Sequence, residues 1–400
     1  MIPGENKVIT FIRKHILVLV VIFATLATLY ARYCFRGFIS GDMKEFLLKW
    51  FGRIDRRGGF AGLGKSVGNY NIPYQVIIAL FTYLPFRPEY MYKGLSIIFD
   101  YLLAWAVAQL VYDLSRRRLL QVIAYIGTAG LPIVILNSAV WGQCDSIYTF
   151  FCVLSVLLLL RKRHLLCFIA YGAAFAFKLQ AVFLLPFLLF AWLYQERFSI
   201  WHFLLVPTVY FVMCLPGVIA GQGLRGVLKA YMGQANMASG RISWGYPCFW
   251  LMAQNNAEAD YYVMTTPMAM VTVMLLLLCL LAVLLKRGKP LSDRRMLGIC
   301  FIMVFTCVYF LPAMHERYSY LYLILGLGIA VLDPVTLPGF LGLLFIDMQT
   351  YGHYLFKLPA PPWSMLAALN LAVYVFYLFR LIGPIVREPA QPRQPLQTLE

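Results

Sequence analysis

Hydrophobic positions in this chain come in blocks, not in alternating faces. Near-continuous apolar stretches fall at about 15–35, 90–112, 119–136, 146–160, 165–178, 181–195, 201–219, 263–285, 296–311, 318–332, 337–355 and 364–386. A helix needs roughly 20 apolar residues to cross a bilayer core. Helices satisfy their own backbone hydrogen bonds in lipid, and the blocks lack the two-residue alternation of a barrel strand. The pattern predicts an all-α, polytopic integral membrane protein with about twelve transmembrane helices. The stretches between 146 and 195 are short enough to merge or tilt. Residues 1–386 read as a single membrane domain, and the Pro/Gln-rich residues 387–400 as a disordered cytosolic tail.

A different period appears once, in the first long join at 36–89. Between Met43 and Ile54, Phe46, Leu47, Trp50, Phe51 and Ile54 recur at steps of three and four, with Lys44, Lys49 and Arg53 among the polar positions. That is an amphipathic helix suited to lying in the membrane interface.

Composition agrees with the pattern. Hydrophobic residues make up 62% of the chain, charged residues 13%, and mean hydropathy is +0.74, whereas a soluble domain carries roughly 25% charged residues. The net charge of +17 does not indicate nucleic acid, because the basic residues form no single patch. Arg116–Arg118, Arg161–Arg163, Lys286–Arg287–Lys289 and Arg294–Arg295 fall in alternate joins. With Lys7, Arg13 and Lys14 they assign one side, the cytosolic one, to both termini of a multi-pass protein of the cell membrane. The loops at 36–89 and 220–262 then lie outside, with the joins at 137–146, 357–364 and around His315. These outer joins are also fairly basic, which suits an anionic lipid substrate. The nine cysteines are scattered, without a CxxC pair, and read as small buried hydrophobes. No small-residue cleavage site follows the first block cleanly, so it reads as a retained helix. No internal repeat of the kind found in many secondary transporters is visible.

The polar residues at the outer joins carry the candidate chemistry. Asp42 directly precedes the amphipathic helix; either it or Ser40 caps that helix, or Asp42 is a carboxylate placed to accept a proton at the membrane surface. The glycines at 58, 59, 62, 64 and 68 do not make a nucleotide loop, since "GLGKS" lacks the GxxxxGK[ST] spacing. In "NYNIPY", Asn69, Asn71, Tyr70 and Tyr74 offer the amides and aromatic faces a sugar needs, or simply a turn. Lys93 and Asp100, seven residues apart, share a helix face as functional groups or as an ion pair. In "NSAVWGQCDS", Asn137, Trp141, Gln143 and Asp145 crowd one short join; an indole, an amide and a carboxylate together match a sugar pocket, although Asp145 also suits a helix cap. Lys178 and Gln180 lie between two apolar runs, where Lys178 neutralises a phosphate or snorkels. His315, Glu316 and Arg317 are either a phosphate grip or a structural ion cluster. No zincin motif, nucleophile elbow or zinc-ribbon pattern is present.

Taken in order, "SGDMKEFLLKWF", "GNYNIPYQ", "NSAVWGQCDSIY", "AFKLQAVFLLP" and "FLPAMHERYSY" resemble bacterial membrane glycosyltransferases related to the second mannosyltransferase of the GPI-anchor pathway, of the GT-C class. The resemblance runs over about residues 36–325 and is weakest in the 220–262 loop and the last two spans. It implies a GT-C-like fold and inverting transfer of a hexose, mannose or glucose, from a polyprenyl-phosphate carrier to a lipid-linked glycan or other envelope acceptor on the extracytosolic face. It also implies Asp42 as general base and His315, Glu316 and Arg317 about the donor phosphate, with Lys178 beside them. Asn69, Asn71, Tyr74, Trp141, Gln143, Asp145, Glu316 and Gln180 are the expected sugar and acceptor contacts. No cofactor is called for. A divalent metal is compatible with the chemistry but has no DxD motif behind it. The partners expected are the donor lipid, the acceptor and the bilayer, and no nucleic acid. The competing readings are a polymerase or ligase with a lipid-diphosphate donor, and a flippase or transporter.

Overall fold

The computed structural model describes residues 5–195, 197–228, 231, 240–253, 262–287 and 291–387. The tail at 388–400 and parts of the second long loop lie outside the described residues. The helices run α1 (Glu5–Cys34), α2 (Leu48–Asp55), α3 (Ile72–Phe81), α4 (Pro88–Ser115), α5 (Arg118–Ala129), α6 (Pro132–Ile135), α7 (Asp145–Leu160), α8 (His164–Phe177), α9 (Leu185–Gln195) and α10 (Leu205–Gly217). They continue with α11 (Tyr262–Arg287), α12 (Asp293–Phe310), α13 (Tyr320–Leu332), α14 (Leu337–Phe356), α15 (Trp363–Tyr377) and α16 (Gly383–Arg387). Among the described residues, the protein is all-α apart from one short strand pair.

Among the described residues, five helical segments are long and apolar enough to cross a membrane: Glu5–Cys34, Pro88–Ser115, Ile200–Leu228, Val263–Lys286 and Trp363–Arg387. A sixth is added if Arg118–Ala129 and Pro132–Trp141, bent by 45°, count as one. Several blocks expected to span form short helices: α7 has 16 residues, α8 14 and α13 13. At 1.5 Å per residue these reach roughly 20–24 Å, less than a bilayer core of roughly 30 Å. Elsewhere, 3-10 and π turns interrupt the apolar blocks. Lys178 has an extended backbone between α8 and a 3-10 turn at Leu179–Leu184, for example.

Local chemistry explains the ends. Asn71 caps α3 through its side chain, and Pro73 sits in the first turn. Pro88 opens α4, and Arg116 ends it in a left-handed conformation (φ 57°). The core lies where α7 packs on α8 and α4, α4 on α5, and α8 on α10. It is rich in buried tyrosine and phenylalanine.

The amphipathic segment forms as a π turn (Met43–Leu47) running into α2. Its inner face buries Met43, Leu47, Trp50 and Ile54, while Phe46 stays half exposed and Glu45 pairs with Lys49 at the surface. That exposed pair contributes little stability; Lys49 draws the Glu45 carboxyl below its ordinary range.

Lys93 and Asp100 do not pair with each other. Lys93 Nζ donates to the carbonyls of Phe35, Arg36 and Phe38 (2.8, 3.3 and 2.6 Å), fixing the turn after α1. Asp100 takes Arg32 of α1 instead, at 3.1 and 2.9 Å, with Ser138 donating at 2.5 Å.

Candidate active site

The turn held by Lys93 leads into Ser40, and Ser40 decides what Asp42 is free to do. Ser40 Oγ accepts from the Met43 amide at 3.1 Å and donates to the Trp141 carbonyl at 2.7 Å. It is therefore the helix cap, and it ties two distant joins together. Asp42 makes no capping bond. Its carboxylate instead receives three side-chain donors: Trp141 Nε1 (2.9 Å) and Gln143 Nε2 (3.0 Å) on Oδ2, and the Tyr354 hydroxyl (2.5 Å) on Oδ1. Charge-assisted bonds of this kind fix orientation strongly.

The donors are in place because the join after α6 winds as a π turn, Leu136–Trp141, closed by Gly142 with φ 77°. The left-handed backbone at Gly142 favours glycine, and a Cβ there would also have to displace the Met43 methyl, 2.3 Å away. Trp141 stacks on Tyr354 (4.5 Å between centroids) and lies under the Arg317 guanidinium (5.2 Å). π turns recur at functional sites because they re-aim side chains, and here two of them carry facing groups.

Opposite Asp42 lie the cations. Lys178 pairs with Asp145, which is fully buried; Asp145 also accepts from Asn137 at 2.9 Å and lies 3.6 Å from Arg317 Nε. Asp145 opens α7 without capping it. Arg317 donates to Glu316 at 3.0 Å and reaches to 4.0 Å from Asp42. Burial works against its charge, but Glu316, Tyr70, Asp145 and Asp42 outweigh burial and hold the guanidinium well above even its usual pKa. Its Nε–H is buried and has no hydrogen-bond partner. Burial first, then the neighbouring Cys144, pushes the Tyr70 hydroxyl up, so it stays protonated and donates to Gln143 at 2.6 Å.

The His315–Arg317 triplet is presented by the short parallel pair β1 (Ser243–Trp244) and β2 (Met314–His315). Ala313, at φ 61°, is held in that strained position by a hydrogen bond that its amide N–H donates to the Ile242 carbonyl (2.8 Å). His315 stacks on Trp244 at 5.7 Å, and its Nδ1 is 3.8 Å from Glu316.

These groups border a cavity of about 700 Å³. Asp42, Asn69, Gln143, Lys178, Gln180 and the His315–Arg317 triplet all line it. Phe46, Leu47, Trp50, Val182, Phe183 and Met270 give it an apolar lining. The side chain of Asp42 is 14% exposed there.

Four expected contacts lie behind the wall. Asn71 is fully buried; it caps α3 and donates to the Ala176 carbonyl at 2.8 Å, so its role is structural. Tyr74 is buried against Tyr70 and Tyr92. Trp141 and Asp145 touch the cavity only through the groups they hold. Tyr70, offered by the sequence as a sugar-facing aromatic, does line it, as do Tyr354 and Trp244, which are not among the expected site residues. Tyr354 left only a weak signal, an aromatic with an oxygen at the outer end of an apolar run. Among the described residues, no three His, Cys, Asp or Glu side chains are grouped to hold a metal ion. The chain matches no family model and no curated protein.

Proposed function

We propose that this protein is an inverting glycosyltransferase of the GT-C kind. It takes a hexose from a polyprenyl-phosphate carrier at the extracytosolic face and passes it to a glycan or glycolipid acceptor. On this reading the shorter apolar helices complete a set of about twelve spans with both termini cytosolic. One observation carries the reading: a partly exposed carboxylate, oriented by three donors, stands beside buried cations in the wall of a cavity with apolar flanks.

Asp42 takes the proton of the acceptor hydroxyl while that oxygen attacks the anomeric carbon. The bond from the anomeric carbon to the phosphate oxygen breaks, and the phosphate leaves with the electron pair. The Arg317 guanidinium, which lines the cavity, stabilises the growing negative charge, supported by Lys178 and His315, in a site of low dielectric. Trp141, Gln143 and Tyr354 hold the Asp42 oxygens and do not touch the reacting atoms. Three carboxylates (Asp42, Asp145, Glu316) stand against two permanent cations (Lys178, Arg317). That balance suits a singly charged phosphodiester better than a diphosphate and disfavours the polymerase or ligase reading.

The test is transfer by purified protein from a panel of polyprenyl-phosphate sugars, with Asp42→Asn alongside. Product from the wild type and none above background from the variant supports the reading. Equal product from both removes Asp42 as base. Labelled lipid that crosses a proteoliposome membrane without transfer replaces the enzyme with a flippase.

A further inference from the structure

A second groove, of about 490 Å³, opens between the end of α1 and the start of α4. Its walls are apolar and aromatic: Leu29 and Tyr33 on α1, Tyr90 and Ile97 on α4. Its polar groups are all basic. Arg32, deepest in the fold, is neutralised by Asp100. Arg36 and Lys93 have no carboxylate at ion-pair distance among the described residues, and Glu89, one turn before Lys93, is held by Arg87 at 2.5 Å. Arg36 lies flat on the Tyr33 ring at 3.9 Å and makes one bond, to the Tyr33 carbonyl at 3.1 Å. Two cations without counter-ions thus border an apolar slot on helices that cross the membrane.

The slot also has a notch. At Gly94 an added Cβ would meet no atom within 4 Å. The backbone there is ordinary helix, so no turn requires the glycine, and the missing side chain leaves space that neighbouring protein does not fill.

We propose that this groove binds an anionic phospholipid, with the headgroup phosphate bound by Arg36 and attracted by the nearby Lys93 charge, and the acyl chains along Leu29, Gly94 and Ile97. A free phosphate ion would match the cations but leave the apolar walls uncovered; a zwitterionic lipid would cover the walls but carry a second charge that the two cations repel. The bound lipid lies against the turn that Lys93 ties to the Phe35, Arg36 and Phe38 carbonyls, and so against the segment that delivers Ser40 and Asp42. This inference does not depend on the transfer chemistry.

The experiment is native mass spectrometry of the full chain from phosphatidylcholine nanodiscs, with phosphatidylglycerol titrated in. The expected result is a phosphatidylglycerol adduct retained at least about tenfold better than phosphatidylcholine, as the loss of one charge-assisted contact would predict. Arg36→Ala reduces that preference about tenfold. Gly94→Leu fills the notch and abolishes it, while its melting temperature in phosphatidylcholine stays that of the wild type. Equal retention of the two lipids, or a preference that survives both variants, overturns the proposal. Displacement of the adduct by millimolar inorganic phosphate also overturns it, by showing that the groove reads phosphate without the lipid.

Discussion

Asp100 and Asp42 are both carboxylates gripped by several donors, yet they are built for opposite ends. Asp100 is fully buried, with one guanidinium and one serine on a single oxygen. The pair balances its own charge and joins α1 to α4. Asp42 uses both oxygens, is held by neutral donors, and keeps its nearest cation at 4.0 Å, beyond hydrogen-bonding distance. It also retains access to a cavity. A structural carboxylate is closed by its own counter-ion, whereas the candidate base is oriented without being neutralised.

Mutations can break this contrast. The largest effect is expected from Asp42→Asn, which should lower transfer by about 10²–10⁴-fold with unfolding in detergent unchanged. Asp100→Asn should do the reverse. It leaves Arg32 buried without a counter-charge, costing about 3 kcal/mol in an SDS-unfolding titration, while the donor KM of the folded fraction stays the same. Were the two variants to show the same split between activity and stability, the contrast would be empty. Arg317→Ala sharpens it from the cation side: donor binding should weaken by about 10–100-fold, the loss of one charge-assisted interaction, measured as lipid affinity in the absence of acceptor. The smallest change is Tyr354→Phe. It removes one of three donors and should lower kcat by about fivefold to tenfold with KM unchanged; an equal rise in KM would make Tyr354 a substrate contact rather than a positioning residue.

Much of this site is legible as a pattern. Polar residues confined to the joins between apolar blocks stand out because burying them is costly. Asp42, Gln143, Asp145, Lys178 and the His315–Arg317 triplet are conspicuous for that reason, and the fold brings all of them to one cavity or its wall. Pairing is not legible. Arg32 with Asp100, and Lys93 with three carbonyls, depend on helix rotation and on where a turn ends, which spacing within one helix does not encode. Helix type within a block is hidden for a related cause: hydrophobicity measures where a segment prefers to be, not where its hydrogen bonding changes from α to 3-10 or π. Asn71 shows the limit for single residues, since a capping amide and a sugar-binding amide look alike until the helix start is known. Tyr354 and Trp244 are hidden because an aromatic among 16% aromatic residues is unremarked.

The hydrogen bond between Tyr354 and Asp42 joins residues 312 positions apart. A ribosome adding 5–20 residues per second takes roughly 15–60 s to cover that distance. Through that interval the nascent chain carries its carboxylate with Oδ1 unmatched, while the indole and amide that hold Oδ2 follow it by only 99 and 101 positions. Biogenesis therefore completes this centre late, when α14 is inserted, and a chain that stops short of α14 has most of its helices but an unfinished Asp42.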